Sequence, residues 1–386
     1  MVSLLRTRVK GEHARVGFVE LFFDLVFVFA ITQISHLLIR HPTPLGALES
    51  LILLAAVWWS WIYTSWVTNW LDVERSPVRL ALFVIMAAGL VMSIGLPDAF
   101  GGRGLVFACA FVAIHVGRSL FMLWAAREDQ ILRQNFRRIL CWALLSGVLW
   151  IGGGLADPAH RLFLWPAALA VEYAGPASGY RVPGLGHART SEWTVEGAHL
   201  AERVGLFVII CLGETLLVTG ATFAELPWTL PIIAAFASSF LTTVAMWQLY
   251  FGAKHDAASD FIAHAEDAGA IARRAYTYAP IVLIAGIIVS AVGDEFVLAH
   301  PLGQAEAHVV AAVLGGPAIF LFGSSLAAYS VWGRWSLDRL TGCALLALLA
   351  AATLTGWTHL SPLWLSLLSS AVLLTVAVWE VLRPRS

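Results

Sequence analysis

The sequence predicts an all-α polytopic membrane protein of about twelve transmembrane helices, arranged as two parallel six-helix repeats with both termini in the cytoplasm. Three observations carry that prediction. Of 386 residues, 59% are hydrophobic and only 13% are Asp, Glu, Lys or Arg, about half the charged share of a soluble domain. Long apolar runs recur from one end of the chain to the other. The basic residues fall almost entirely into alternate loops.

A hydrocarbon core of about 30 Å needs about 20 apolar helical residues. In the first half, runs of that size lie near 18–39, 46–70, 77–96, 104–126, 137–156 and 160–179. In the second half they lie near 199–220, 227–251, 270–292, 306–331, 338–357 and 361–382. They are continuous rather than alternating every second residue, which excludes barrel strands. The segment 160–179 carries Pro166, Glu172 and Pro176 and reads as a broken or re-entrant helix. The first run begins near Val16 and lacks a small-residue cleavage site, so it reads as a retained span rather than a secretory signal.

Lys and Arg concentrate in cytoplasmic loops. With these spans, 19 of the 24 fall on the side of the N-terminus. Only Arg40, Arg103 and Arg161 fall on the other, and Arg118 and Arg203 lie within spans. A missed or spurious span would scramble that asymmetry. The expected location is the bacterial cytoplasmic (inner) membrane, N-in and C-in.

The halves also echo one another. A-A-G-L-V-M-S-I-G (87–95) matches I-A-G-I-I-V-S-A-V (284–292), R-I-L-C-W-A-L-L (138–145) matches R-L-T-G-C-A-L-L (339–346), and G-R-S-L (117–120) matches G-S-S-L (323–326). Six spans per half is an even number, so both halves enter from one side and the repeat is parallel. The organisation is therefore a cytoplasmic tail (1–17), a first repeat (18–180), a cytoplasmic linker (181–198), a second repeat (199–382) and a short cytoplasmic tail (383–386).

Ionisable groups inside a membrane are costly and face the bundle interior, a pathway or one another. Glu20 and Asp24 are four residues apart on the first helix and share a face. On the seventh helix Glu202, Arg203 and Glu214 stand in an otherwise apolar run. Arg203 and Glu214 share a face but lie about 16 Å apart along the axis, so Arg203 is expected to meet Asp24 or Glu20 across a helix interface. Glu214, beside Gly213, is the strongest single candidate. His115 and Arg118, one turn apart, form a candidate supporting ion pair with Glu172. Trp58, Trp59, Trp61, Trp66 and Trp70 read mostly as an interfacial belt with lipid contact. Cys109, Cys141, Cys211 and Cys343 read as buried thiols. There is no zincin or paired-cysteine spacing and no phosphate-binding glycine loop, so neither a metal nor a cofactor is expected. A net charge of -1 gives no reason to expect nucleic acid.

Two of these stretches, E-L-F-F-D-L-V-F (20–27) and H-L-A-E-R-V-G-L-F-V-I-I-C-L-G-E-T (199–215), resemble the bacterial low temperature requirement protein A family. The resemblance covers nearly the whole chain. That family is named for a cold-growth phenotype, so the likeness implies no reaction. The stretch F-F-D-L-V-F-V-F-A-I-T (22–32) is also similar to the first-helix F-S-D motif of endolysosomal and bacterial potassium channels. Those proteins double a six-helix unit and line a pore with their first and seventh helices. Phe23 stands where that motif has Ser, so a potassium filter is not carried over.

The leading expectation is a transporter or channel-like permeation protein with a path between the repeats, lined by helices one and seven. Its acids (Glu20, Asp24, Glu172, Glu202, Glu214) outnumber its bases (Arg118, Arg203), which favours protons, cations or a small cationic solute. The partners are then the lipid bilayer and that cargo, and homo-oligomerisation stays open. A sensor or assembly factor without cargo is the second class. An intramembrane lipid-modifying enzyme is the third, and the absence of a nucleophile or metal constellation speaks against it.

Overall fold

The computed structural model describes residues 3–6, 16–189, 192–193, 195–252, 271 and 273–382. Among them the chain is all-helical apart from two isolated bridges, Leu5 with Leu71 and Val182 with Gly186. The twelve α-helices in order are α1 (Phe18–Arg40), α2 (Pro44–Trp70), α3 (Ser76–Gly95), α4 (Gly104–Ala125), α5 (Gln130–Leu155) and α6 (Pro158–Ala177). They continue with α7 (Gly197–Glu225), α8 (Leu230–Phe251), α9 (Ala279–Ala299), α10 (Ala307–Trp332), α11 (Leu337–Leu354) and α12 (Pro362–Leu382). Eleven are long and apolar enough to cross a membrane. The protein is a polytopic α-helical membrane protein. Of the expected tails and basic loops, residues 1–2, 7–15 and 383–386 and Lys254 lie outside the described residues.

Two boundaries differ by seven residues from the hydropathy reading. α5 starts at Gln130 instead of 137 because Asp129 caps it, accepting from the Leu132 amide at 2.9 Å. Its first turns mix Ile131, Leu132 and Phe136 with polar and basic residues, too polar on average to register as a span. α9 extends to Ala299 although the reading stopped at 292, because Asp294 and Glu295 interrupt the run without breaking the helix. It is preceded by a π-helical turn, Arg273–Tyr278.

α6 is a continuous helix and not a broken one. Asp157 caps the His160 amide at 3.1 Å with Pro158 just inside the start. The backbone and side-chain hydrogen bonds from His160 hold the exposed Asp157 carboxyl below its ordinary value. Arg161 then binds four chain-end carbonyls, those of Ala99, Gly101, Gly153 and Ala156, at 2.6–3.0 Å. Carbonyls that helix ends would leave bare in lipid are thereby satisfied.

The described chain forms two compact units. The first holds α1 through Leu37, α2–α6 and α7 up to Arg203; the second holds residues 38–43, α7 from Val204 and α8–α12. In the first unit α3, α4, α5 and α6 pack in sequence, and α2 packs on α4 and α6. In the second, α9, α10, α11 and α12 pack in sequence and α8 packs on α12. The closest pair there is α9 with α10. A Cβ placed on Gly316 would fall 2.5 Å from the Ser290 amide nitrogen, so a side chain there would push the two backbones apart.

Polar and apolar residues are distributed for lipid. Phe18, Leu80, Val148, Phe163 and Leu348 are exposed on outer faces. Glu20, Asp24, Asn69, Asn135, His199 and Arg203 are fully enclosed. Apolar spans therefore have outward sides, and two expected buried thiols lie on them: Cys109 and Cys141 are exposed, Cys343 is half-buried and only Cys211 is buried. All four are free.

Candidate functional site

In the N-terminal unit, α1, α2 and the start of α7 bring four ionisable side chains together out of reach of solvent. The spacing of Glu20 and Asp24 places both on one face of α1. Arg203 bridges them, with Nη1 2.9 Å from Glu20 Oε1 and Nη2 2.6 Å from Asp24 Oδ1. Its guanidinium carbon lies 5.6 Å from the centre of the Trp61 ring and 5.8 Å from that of Phe23. Trp61 Nε1 donates to Asp24 Oδ1 at 2.7 Å. The Gly17 amide donates to Glu20 Oε2 at 2.9 Å, close to the start of α1.

His199, one turn before Arg203, completes the group with Nε2 3.1 Å from Glu20 Oε1. The orientation of its ring follows from its neighbour. Asn69 Oδ1 accepts from the Glu196 amide at 3.0 Å and Asn69 Nδ2 donates to the Glu196 carbonyl at 2.9 Å. That pair fixes which way the amide points. Asn69 Nδ2 also faces His199 Nδ1 at 3.3 Å, which places Nδ1 to accept. Nε2, on the other side of the ring, faces Glu20 Oε2 at 3.2 Å. With both carboxylates ionised and the imidazole neutral, the enclosed group carries two negative charges against the single positive charge of Arg203. Asp24 Oδ2 and Arg203 Nε have no hydrogen-bond partner among the described residues.

A second buried network in the same unit is balanced. Glu172 of α6 accepts from Trp59 Nε1 at 2.8 Å and from the Ser146 hydroxyl. Its Oε2 is 4.0 Å from His115 Nδ1. Arg118 Nη2 donates to that same nitrogen at 3.1 Å, which leaves the proton on Nε2, 3.2 Å from Ser60 Oγ. Arg118 Nη1 reaches the Thr64 hydroxyl at 3.2 Å. One guanidinium and one carboxylate, separated by a neutral imidazole, leave no net charge here.

Most of the tryptophans of α2 are interior rather than a belt; Trp66 alone of the five is half-buried. Trp58, Trp59 and Trp61 are at most 1% exposed. The indole N–H groups of Trp59 and Trp61 serve the two buried acids, so they are interior hydrogen-bond donors. Glu202 is also displaced from the sequence reading: it is exposed. Adjacent helical residues point about 100° apart, so turning Arg203 inward turns Glu202 outward.

In the C-terminal unit Glu214 of α7 is buried, 5% exposed. The next residue, Thr215, pairs its hydroxyl with that of Thr243 of α8 at 3.1 Å. Two acids there escaped the sequence reading. Asp294 of α9 accepts from Ser239 Oγ at 2.6 Å, and Glu295 accepts from Thr222 Oγ1 at 2.7 Å. The apolar residues of V-L-A after them were the available signal that the span continues.

Twelve helices with charged side chains gathered inside and apolar ones outside define a multi-pass membrane protein with an ionisable interior. Residues 15–378 match the family model described as bacterial low temperature requirement A protein. The chain belongs to that family. It is also similar to an uncharacterized protein of Rhizobium meliloti (strain 1021), 41% identical over 383 residues that cover 96% of this chain and 90% of that protein. No solved structure matches the chain.

Proposed function

We propose that the protein moves protons or small cations across the bacterial cytoplasmic membrane, with Asp24 as the group that carries the exchangeable proton. The observation that carries this reading is the charge count of the N-terminal centre. Two enclosed carboxylates share one guanidinium, and in this proposal the amide of Asn69, facing His199 Nδ1, keeps that ring from supplying a second positive charge. An isolated buried charge costs several kcal/mol, of the order that drives a group to take up a proton or a counter-ion. Asp24 Oδ2, lacking a partner among the described residues, is the oxygen placed to take it. Glu214 is the second carboxylate on this reading, held for a later step of the same transfer.

The orientation belongs to the proposal as well. Both termini face the cytoplasm, supported by the 19 basic residues assigned to that side. The duplication is supported by recurrent pairing: in each unit the helices third to sixth pack in sequence and the second packs on the sixth.

Reconstitution tests the function. Proteoliposomes with an imposed potassium diffusion potential and an enclosed pH dye are expected to show proton entry above empty vesicles, and Asp24→Asn is expected to abolish it. Equal rates for empty, wild-type and Asp24→Asn vesicles, with correct insertion verified, would remove the proposal.

A further inference from the structure

The C-terminal unit holds a small, partly open cavity of about the size of one water molecule, whose polar lining is Asp294, Thr242, Ser290, Ser366 and Ser369. We propose that this cavity is a binding site for a sodium ion. It lies in the other unit and does not depend on the reading of Glu20, Asp24 and Arg203.

The chemistry of the lining selects the ion. One carboxylate matches a single positive charge, and the remaining side-chain oxygens are neutral hydroxyls. These are hard ligands suited to a hard cation, and a divalent ion would call for more carboxylate. One lining hydroxyl, that of Ser290, is oriented to offer its lone pairs, and the carboxylate is held by a neighbouring serine. Ser290 Oγ gives its proton to the Gly286 carbonyl at 2.8 Å, and Ser239 Oγ gives its proton to Asp294 Oδ2 at 2.6 Å. The Thr242 and Ser370 hydroxyls share a hydrogen bond at 2.7 Å, which ties α8 to α12 at the edge of the cavity.

Two further features point to a ligand. Ser369 Oγ is buried at the cavity and has no hydrogen-bond partner among the described residues. Pro317, inside α10, has no N–H to give the carbonyl four residues earlier, that of Val313. Val313 and Pro317 both line the cavity. The residue whose carbonyl Pro317 cannot cap therefore lines the same cavity as the unbonded Ser369 hydroxyl. The close approach of α9 to α10 at Gly316 sets Ser290 against the same stretch of backbone.

The full chain, purified in detergent, is tested in sodium chloride against choline chloride at constant ionic strength. The expected results are a saturable rise in melting temperature with sodium and saturable binding of radioactive sodium. Asp294→Asn is expected to lose both. Because that variant can fail to fold, Ser369→Ala is measured beside it; its hydroxyl bonds to no described residue, so its melting temperature in choline chloride is expected to equal the wild type's. Its apparent sodium affinity is expected to fall about tenfold, the loss of one oxygen contact. Asp24→Asn is expected to bind sodium like the wild type, which separates this site from the proposed proton carrier. The same melting temperature in both salts with no bound sodium would overturn the proposal, and so would sodium binding unaltered in Ser369→Ala and Asp294→Asn.

Discussion

Replacing Arg203 with Met removes the guanidinium that faces Glu20 and Asp24, while keeping an apolar stem against Phe23 and Trp61. In the native centre the guanidinium makes contacts of 2.9 Å and 2.6 Å with the two carboxylates, all three groups being fully enclosed. Removing one partner of a buried ion pair costs about 3–5 kcal/mol, because the remaining charge stays uncompensated. With the proton on Asp24, Arg203→Met leaves the Glu20 carboxylate without its cation and Asp24 without a donor, so a loss within that range is expected. A charge-matched variant isolates the cause. Glu20→Gln, Asp24→Asn and Arg203→Met together leave no charge in the centre, and Trp61 and His199 can still donate to the amide oxygens. Complete replacement of a buried ion cluster is often close to neutral for stability, so the triple variant is expected to recover most of the loss. Unfolding in mixed micelles, followed by the fluorescence of the 17 tryptophans, measures all three proteins on one scale. The reasoning is refuted if Arg203→Met is as stable as the wild type, or if the triple variant is no more stable than the single one.

Two further outcomes follow from the same account. Glu214→Gln keeps the size of the side chain and removes its charge; it is expected to fold with near wild-type stability and to lose proton entry into proteoliposomes. A folded Glu214→Gln protein with full flux would take this residue out of the transfer. Reporter fusions at Arg133 and Arg385 are expected to mark the cytoplasm and one at Arg103 the outside; opposite sides for Arg133 and Arg385 would mean a miscounted span.

The helical architecture was legible because burial in lipid demands long apolar runs, and only local signals at their ends escaped. The Asp129 cap lengthens α5 by seven residues that are too polar to register as a span. The acids Asp294 and Glu295 truncated the reading of α9, since a hydropathy window treats any carboxylate as an end. The charged centre was half legible. Glu20, Asp24 and Arg203 stand out as charges in apolar runs, and helical spacing identifies their shared faces. Nothing along the chain links Asn69 to His199, 130 residues later, yet that contact orients the imidazole toward Glu20. The tryptophans were misread because composition cannot distinguish an indole at a lipid interface from one donating to a buried acid. Glu202 was misread for a simpler reason: on one helix, two adjacent residues cannot both face inward.

The central claim is that the enclosed centre holds one exchangeable proton on Asp24. Infrared spectroscopy of the reconstituted protein measures this directly, since a protonated carboxyl has a carbonyl stretch distinct from that of a carboxylate and shifts in heavy water. At neutral pH the wild type is expected to show such a band from a buried carboxyl, exchanging with deuterium and absent from Asp24→Asn. A spectrum in which Asp24→Asn leaves every protonated carboxyl band unchanged would contradict the account.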